Sequence, residues 1–126
     1  MRLKRSMSNF DIAILLNEVA QSVIGAWINN IYQIKETFLF KLNTKSGETT
    51  LLVKPGCSIY LTKYQRAVPK VPTNFCSSLR KHIRDRRIED ISQYDLDRIV
   101  KIVINGEREK YSLIVELFGE GNLILC

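Results

Sequence analysis

The 126-residue chain is about the length of one domain, which argues against an enzyme with separate cofactor and substrate lobes. With 45% apolar and 25% charged residues, six Gly and three Pro, it can bury a core and is neither disordered nor repetitive. The net charge of +6 is polarised: residues 1–87 carry 15 basic and 5 acidic side chains, residues 88–126 carry 4 and 8, so one basic face and a polyanionic partner are expected.

Ser8 followed by Asp11 resembles a capping box, and Ile12, Leu15, Leu16, Val19 and Val23 recur at helical spacing. This predicts a helix over 9–24 with a buried apolar stripe, stopped by Gly25. Arg2, Lys4 and Arg5 ahead of it do not make a secretion signal or a membrane span, because the apolar run at 12–16 is too short and Asp11 and Glu18 flank it. From residue 26 the period shortens to two. Strands are predicted at 27–32, 38–42, 49–54 and 58–62, with turns at 45–48 and at Pro55-Gly56, giving an antiparallel meander. Residues 63–72 lack periodicity and hold Pro69 and Pro72, so they form a loop crossing to the next helix.

Thr73 is placed to cap a helix over 74–87 that buries Phe75, Cys76, Leu79 and Ile83. After Ile91, strands return at 98–104, 111–118 and 123–125, separated by turns at 105–107 and 119–122. The predicted class is α+β: one domain over 1–126, an antiparallel β-sandwich or half-barrel with two main flanking helices. A chain that stops at a strand reads as the amino-terminal fragment of a longer protein.

Little in the sequence supports catalysis. Cys57, Cys76 and Cys126 are odd in number and form no C-x-x-C, which indicates neither a disulfide framework nor a zinc site, and fits a reducing cytoplasm. His82 stands among Arg80, Lys81 and Arg84, with only Asp85 nearby as a carboxylate to orient it. Gly119-Glu120-Gly121 follows a strand but precedes no helix, so it reads as a hairpin turn rather than a dinucleotide loop. No catalytic residue, metal, cofactor or small-molecule substrate is indicated.

The segment 79–87 is more informative. Arg80, Lys81, Arg84, Arg86 and Arg87 are opposed only by Asp85, and on a helix positions 80, 84 and 87 share one side, a row able to track phosphates. Lys63, Arg66, Lys70 and the amino-terminal Arg2, Lys4 and Arg5 would extend it; the alternative is a solvated helix face. In Asp97-Arg98-Ile99-Val100 the adjacent acid and base point to opposite sides of a strand, so each needs its own partner, or both are strand-end polar residues.

Five stretches in order carry a family resemblance: Ser8-x-x-Asp11; Asn30-Ile31-Tyr32; Pro72-x-x-Phe75 leading into Leu79-Arg80-Lys81-His82; Asp97-Arg98-Ile99-Val100; and Glu116-Leu117-Phe118-Gly119-x-Gly121-Asn122. Over essentially the whole chain they resemble the N-terminal domain of the NFACT family. The resemblance implies a cytosolic factor of ribosome-associated quality control that binds the large ribosomal subunit, holds tRNA and supports C-terminal tailing of stalled nascent chains. It also implies a fold similar to the N-terminal domain of formamidopyrimidine-DNA glycosylases, and a tRNA-facing role for Asp11, Asp97 and Arg98. Glycosylase chemistry is not implied: those enzymes use an N-terminal Pro-Glu pair, whereas this chain begins Met1-Arg2-Leu3-Lys4. The expected RNA-binding set is therefore Asp11, Asp97, Arg98, Arg80, Lys81, Arg84 and Arg87, on a non-enzymatic module. Bacterial members called fibronectin-binding proteins supply the alternative, a protein-interaction module.

Overall fold

A computed structural model of the chain describes residues 9–63, 67–93 and 98–126, and for residues 9–12 and 15 the backbone alone. Helix α1 (Asn9–Val23) ends as predicted: the Ile24 amide still reaches the Ala20 carbonyl, then Gly25 takes φ +90 and turns the chain out of the helix. Strands β1 (Trp27–Ile34), β2 (Thr37–Thr44), β3 (Gly47–Lys54) and β4 (Ser58–Thr62) follow as an antiparallel meander. After the crossing loop, Thr73 caps α2 (Asn74–Ile83), its hydroxyl accepting from the Cys76 amide at 3.0 Å. A second meander, β5 (Arg87–Gln93), β6 (Ile99–Asn105), β7 (Lys110–Glu116) and β8 (Leu123–Leu125), completes the fold.

The eight strands form one sheet in the order β4-β3-β2-β1-β5-β6-β7-β8. Its two halves are joined by one ladder pair, Trp27 opposite Arg87. Both meanders turn their apolar residues onto a common core: Phe40, Leu51 and Ile59 from the first and Val100, Ile102 and Leu113 from the second. Leu16, Val19 and Val23 of α1 and Cys76, Leu79 and Ile83 of α2 complete it. The opposite margins also meet. The Gly56 amide in the β3–β4 turn donates to the Glu116 carbonyl at 2.8 Å, and Gly121 in the β7–β8 turn lies against the Gly56 backbone. The α+β class stands as expected.

Two sequence expectations are corrected. The second helix stops at Ile83 rather than at residue 87, and residues 87–93 form a strand the periodicity did not announce. Its register shifts between Ile88 and Asp90, so the core-facing Ile88 and Ile91 stand three apart, a spacing that reads as helical in sequence. Phe75 also departs from expectation. It is 39% exposed, touching the core through an edge-on contact with Phe38 at 5.7 Å.

Candidate nucleic-acid interface

Four of the singled-out stretches meet in pairs. Asn30 follows a register shift in β1, where its Oδ1 accepts from the Ile31 amide at 2.9 Å and its Nδ2 donates to the Tyr32 hydroxyl at 3.1 Å. Beyond the Trp27–Arg87 pair no strand among the described residues pairs with this edge of β1, and α2 packs there. The Ile31 carbonyl accepts from Arg80 Nε at 2.7 Å and from Cys76 Sγ at 3.3 Å, while the Arg80 guanidinium stands 5.1 Å from the Tyr32 ring centre. Half-buried Arg80 is thus a brace between α2 and β1. Burial pushes the Cys76 thiol up, against the lowering influence of Arg80, so it remains a protonated donor. Cys126 is exposed, Cys57 half-buried and Cys76 buried. A thiol reagent added to the native chain should therefore label Cys126 first, Cys57 more slowly and Cys76 only on unfolding; mass spectrometry of the labelled peptides checks the order.

The predicted row of Arg80, Arg84 and Arg87 along one helix face is corrected by the early end of α2. Arg84 is extended (φ −66, ψ 140) and Asp85 is left-handed at φ 65. The Asp85 amide then donates to the Ile28 carbonyl at 2.7 Å and the Ile88 amide to the Ala26 carbonyl at 2.8 Å, bonds that a continued helix could not make. Arg80, Lys81 and His82 occupy the last helical turn, where cations are favoured by the exposed carbonyls. Lys81 and Arg84 are exposed at this helix end, and Arg87 follows on β5. Arg86 reaches Glu107 at 3.7 Å, an exposed pair worth little; Lys81, Arg84 and Arg87 have no acidic partner among the described residues. His82 Nδ1 lies 2.8 Å from the Ser78 carbonyl oxygen, and its ring meets Tyr111 edge-on at 5.7 Å.

Register adds a feature the sequence reading missed. Asn43, Trp27, Arg87 and Asn105 stand opposite one another across β2, β1, β5 and β6, all exposed on the face away from the core. Arg87 Nε donates to the Gly25 carbonyl at 3.0 Å, which holds its guanidinium 5.9 Å from the Trp27 ring centre. Beside this row, Asn30, Tyr32, Lys41, Glu48 and Lys63 help to line an open groove of about 490 Å3.

The second pair of stretches meets at the other end of β5. Arg98 is exposed just before β6; its carbonyl accepts from the Leu117 amide at 2.8 Å and its guanidinium lies 5.9 Å from the Phe118 ring centre. Asp97 and the Asp11 side chain lie outside the described residues. The Asp11 backbone is in the first turn of α1, and Ala13, Ile14 and Asn17 further along border Ile91, Ser92 and Gln93 at the end of β5. Gln93 in turn pairs with Val100, two residues beyond Arg98. Of the expected RNA-binding residues, Arg80 is taken up against β1, and the exposed described ones fall into two groups, Lys81, Arg84 and Arg87 at one end of β5 and Arg98 at the other, about 20 Å apart by strand rise.

Residues 8–126 match the family described as NFACT N-terminal and middle domains. Ribosome quality control complex subunit NEMF of Homo sapiens is 32% identical over 124 residues, and Ribosome quality control complex subunit 2 of Saccharomyces cerevisiae 34% identical over 126. Each match takes in 98% of this chain, which spans 12% of the length of these relatives. The N-terminal domain of fibronectin-binding protein PavA from Streptococcus pneumoniae has a TM-score of 0.87 at 25% identity, over 95% of this chain and 51% of that one. No helix among the described residues is long and apolar enough to cross a membrane.

Proposed function

The chain belongs to the NFACT family, and on that premise we propose that it is the RNA-facing amino-terminal module of a cytoplasmic ribosome-associated quality-control factor, one that binds the large ribosomal subunit with tRNA and supports C-terminal tailing of stalled nascent chains. The observation that carries the RNA reading is the trio of exposed cations Lys81, Arg84 and Arg87 at the junction of α2 and β5, which have no acidic partner among the described residues. Each such cation can displace a counterion from a phosphate, and the affinity this provides weakens with salt. Arg98, with a planar guanidinium set beside Phe118, offers a second contact to phosphate or a base edge at the far end of β5. The role assigned to Asp11 and Asp97 is to accept from a ribose hydroxyl or base amine. The module positions RNA and catalyses nothing itself; peptide-bond formation in tailing belongs to the ribosome.

Titrating labelled tRNA into the wild type and a Lys81→Ala/Arg84→Ala variant at about 50 and 200 mM salt tests the reading, with the variant expected to bind more weakly and its log–log salt slope to be shallower by about 2. Equal affinities and equal slopes would discard it. The likeness to a fibronectin-binding protein favours a second reading, a protein-interaction module. That reading gains only if immobilised fibronectin retains the chain and the double substitution leaves this retention unchanged.

A further inference from the structure

Trp27 is the one tryptophan of the chain and is 50% exposed, although it begins a strand whose next residue, Ile28, is fully buried. An aromatic side chain of this size is ordinarily covered. Its surroundings indicate what would cover it. Antiparallel register sets Asn43 on one side and Arg87, then Asn105, on the other, so a flat ring, a guanidinium and two amides stand in one line across four strands. Three inter-strand spacings make that line about 14 Å long.

The guanidinium is already oriented by its bond to the Gly25 carbonyl, so little of its freedom remains to be lost on binding. The charge at this place is positive, with Arg87 in the line and Lys81 and Arg84 at the neighbouring helix end, none with an acidic partner among the described residues. Beyond the line, Glu48 pairs in register with Asn43 at one end, and at the other Lys110, opposite Asn105, is neutralised by Glu89 of β5 at 2.8 Å. The positive charge here is therefore Arg87 within the line together with Lys81 and Arg84 at the adjoining helix end.

We propose that the Asn43–Trp27–Arg87–Asn105 line is a stacking platform for a short single-stranded segment of RNA. One base lies on the Trp27 ring, Arg87 takes the adjoining phosphate or stacks on the next base, and the Asn43 and Asn105 amides meet base edges. Exposed aromatics on a sheet face are suited to this ligand because every unstacked base has a face to offer and an edge to hydrogen-bond. A length of about 14 Å suits two or three bases. A duplex, whose bases are already stacked, has no such face to give.

The proposal rests on the RNA reading above and names the chemical form of RNA this face takes. Because Trp27 is the sole tryptophan, its fluorescence reports this position and no other. Single-stranded RNA of about eight nucleotides should quench it saturably, and a duplex of the same length should quench it far less. Trp27→Ala should weaken single-strand binding about tenfold or more, measured by anisotropy of labelled RNA, while Trp27→Phe, which keeps an aromatic face, should stay within about threefold of wild type. Circular dichroism of both variants separates lost stacking from lost folding.

If RNA binds and responds to Lys81→Ala/Arg84→Ala while Trp27 emission is unchanged and Trp27→Phe and Trp27→Ala both bind as wild type does, the platform is refuted and the RNA reading survives. If no RNA of either form binds the wild type, the RNA reading fails and takes the platform with it. Loss of a captured protein partner on Trp27→Ala, with single-strand affinity unaltered, would assign the face to protein and also overturn the proposal.

Discussion

Gly121→Ala is expected to lower the melting temperature of the chain by at least about 10 °C, a loss of roughly 3 kcal/mol or more. Two costs combine. The position has φ +76, where a side chain is disfavoured by about 1–2 kcal/mol. A Cβ there would also overlap the Gly56 amide nitrogen and the Pro55 carbonyl carbon, backbone atoms that cannot rotate aside. Those atoms belong to the turn that closes the far margin of the sheet, where the Gly56 amide donates to the Glu116 carbonyl at 2.8 Å, the Glu116 amide to the Asn122 carbonyl at 2.9 Å, and Asn122 Nδ2 to Glu116 Oε1 at 2.7 Å. Gly119 provides the control. Its φ is +59 but nothing lies within 4 Å of a Cβ placed there, and asparagine tolerates that backbone, so Gly119→Asn should cost less than about 1 kcal/mol. A thermal melt of Gly121→Ala matching that of Gly119→Asn would show that the close approach of the two turns is not what holds this margin shut.

The same region shows what was legible in the sequence and what was not. That Gly119-x-Gly121 is a turn follows from its neighbours, because a strand precedes it and no helix follows. The need for glycine at 121 does not follow, since the obstacle is the backbone of Gly56, 65 positions earlier in the chain. Helix α1, the start of α2 and the strands other than β5 are legible because their periodicity is local. Strand β5 was not: its bulge sets Ile88 and Ile91 three apart, and the preceding Arg84, Arg86 and Arg87 continue a helical charge pattern beyond the last helical residue. The same misreading made Arg80, Arg84 and Arg87 look like one row. Trp27 escaped notice for a related reason, because its partners Asn43, Arg87 and Asn105 are assembled only by register across four strands. Asp97-Arg98 and the Glu116-to-Asn122 stretch were both singled out, yet the contacts of Arg98 with Leu117 and Phe118 became visible only in the fold.

Arg80 is the basic residue whose substitution should change stability most. Arg80→Ala removes a 2.7 Å charge-assisted bond to the Ile31 carbonyl and the contact with the Tyr32 ring, leaving that carbonyl to Cys76 Sγ at 3.3 Å. The expected loss is about 2 kcal/mol, or roughly 5–10 °C in melting temperature. Arg80→Lys separates brace from charge. An ammonium keeps the charge but lacks the planar donor that bonds the carbonyl and stacks on the ring together, so most of the stability should be lost while electrostatic attraction for RNA is kept. Lys81→Ala and Arg84→Ala should do the reverse, leaving stability within about 0.5 kcal/mol and lowering RNA affinity. If Arg80→Lys melts like the wild type, the guanidinium is not bracing α2 against β1. Arg80 would then be a surface cation like its neighbours, and its bond to Ile31 would contribute little to the fold.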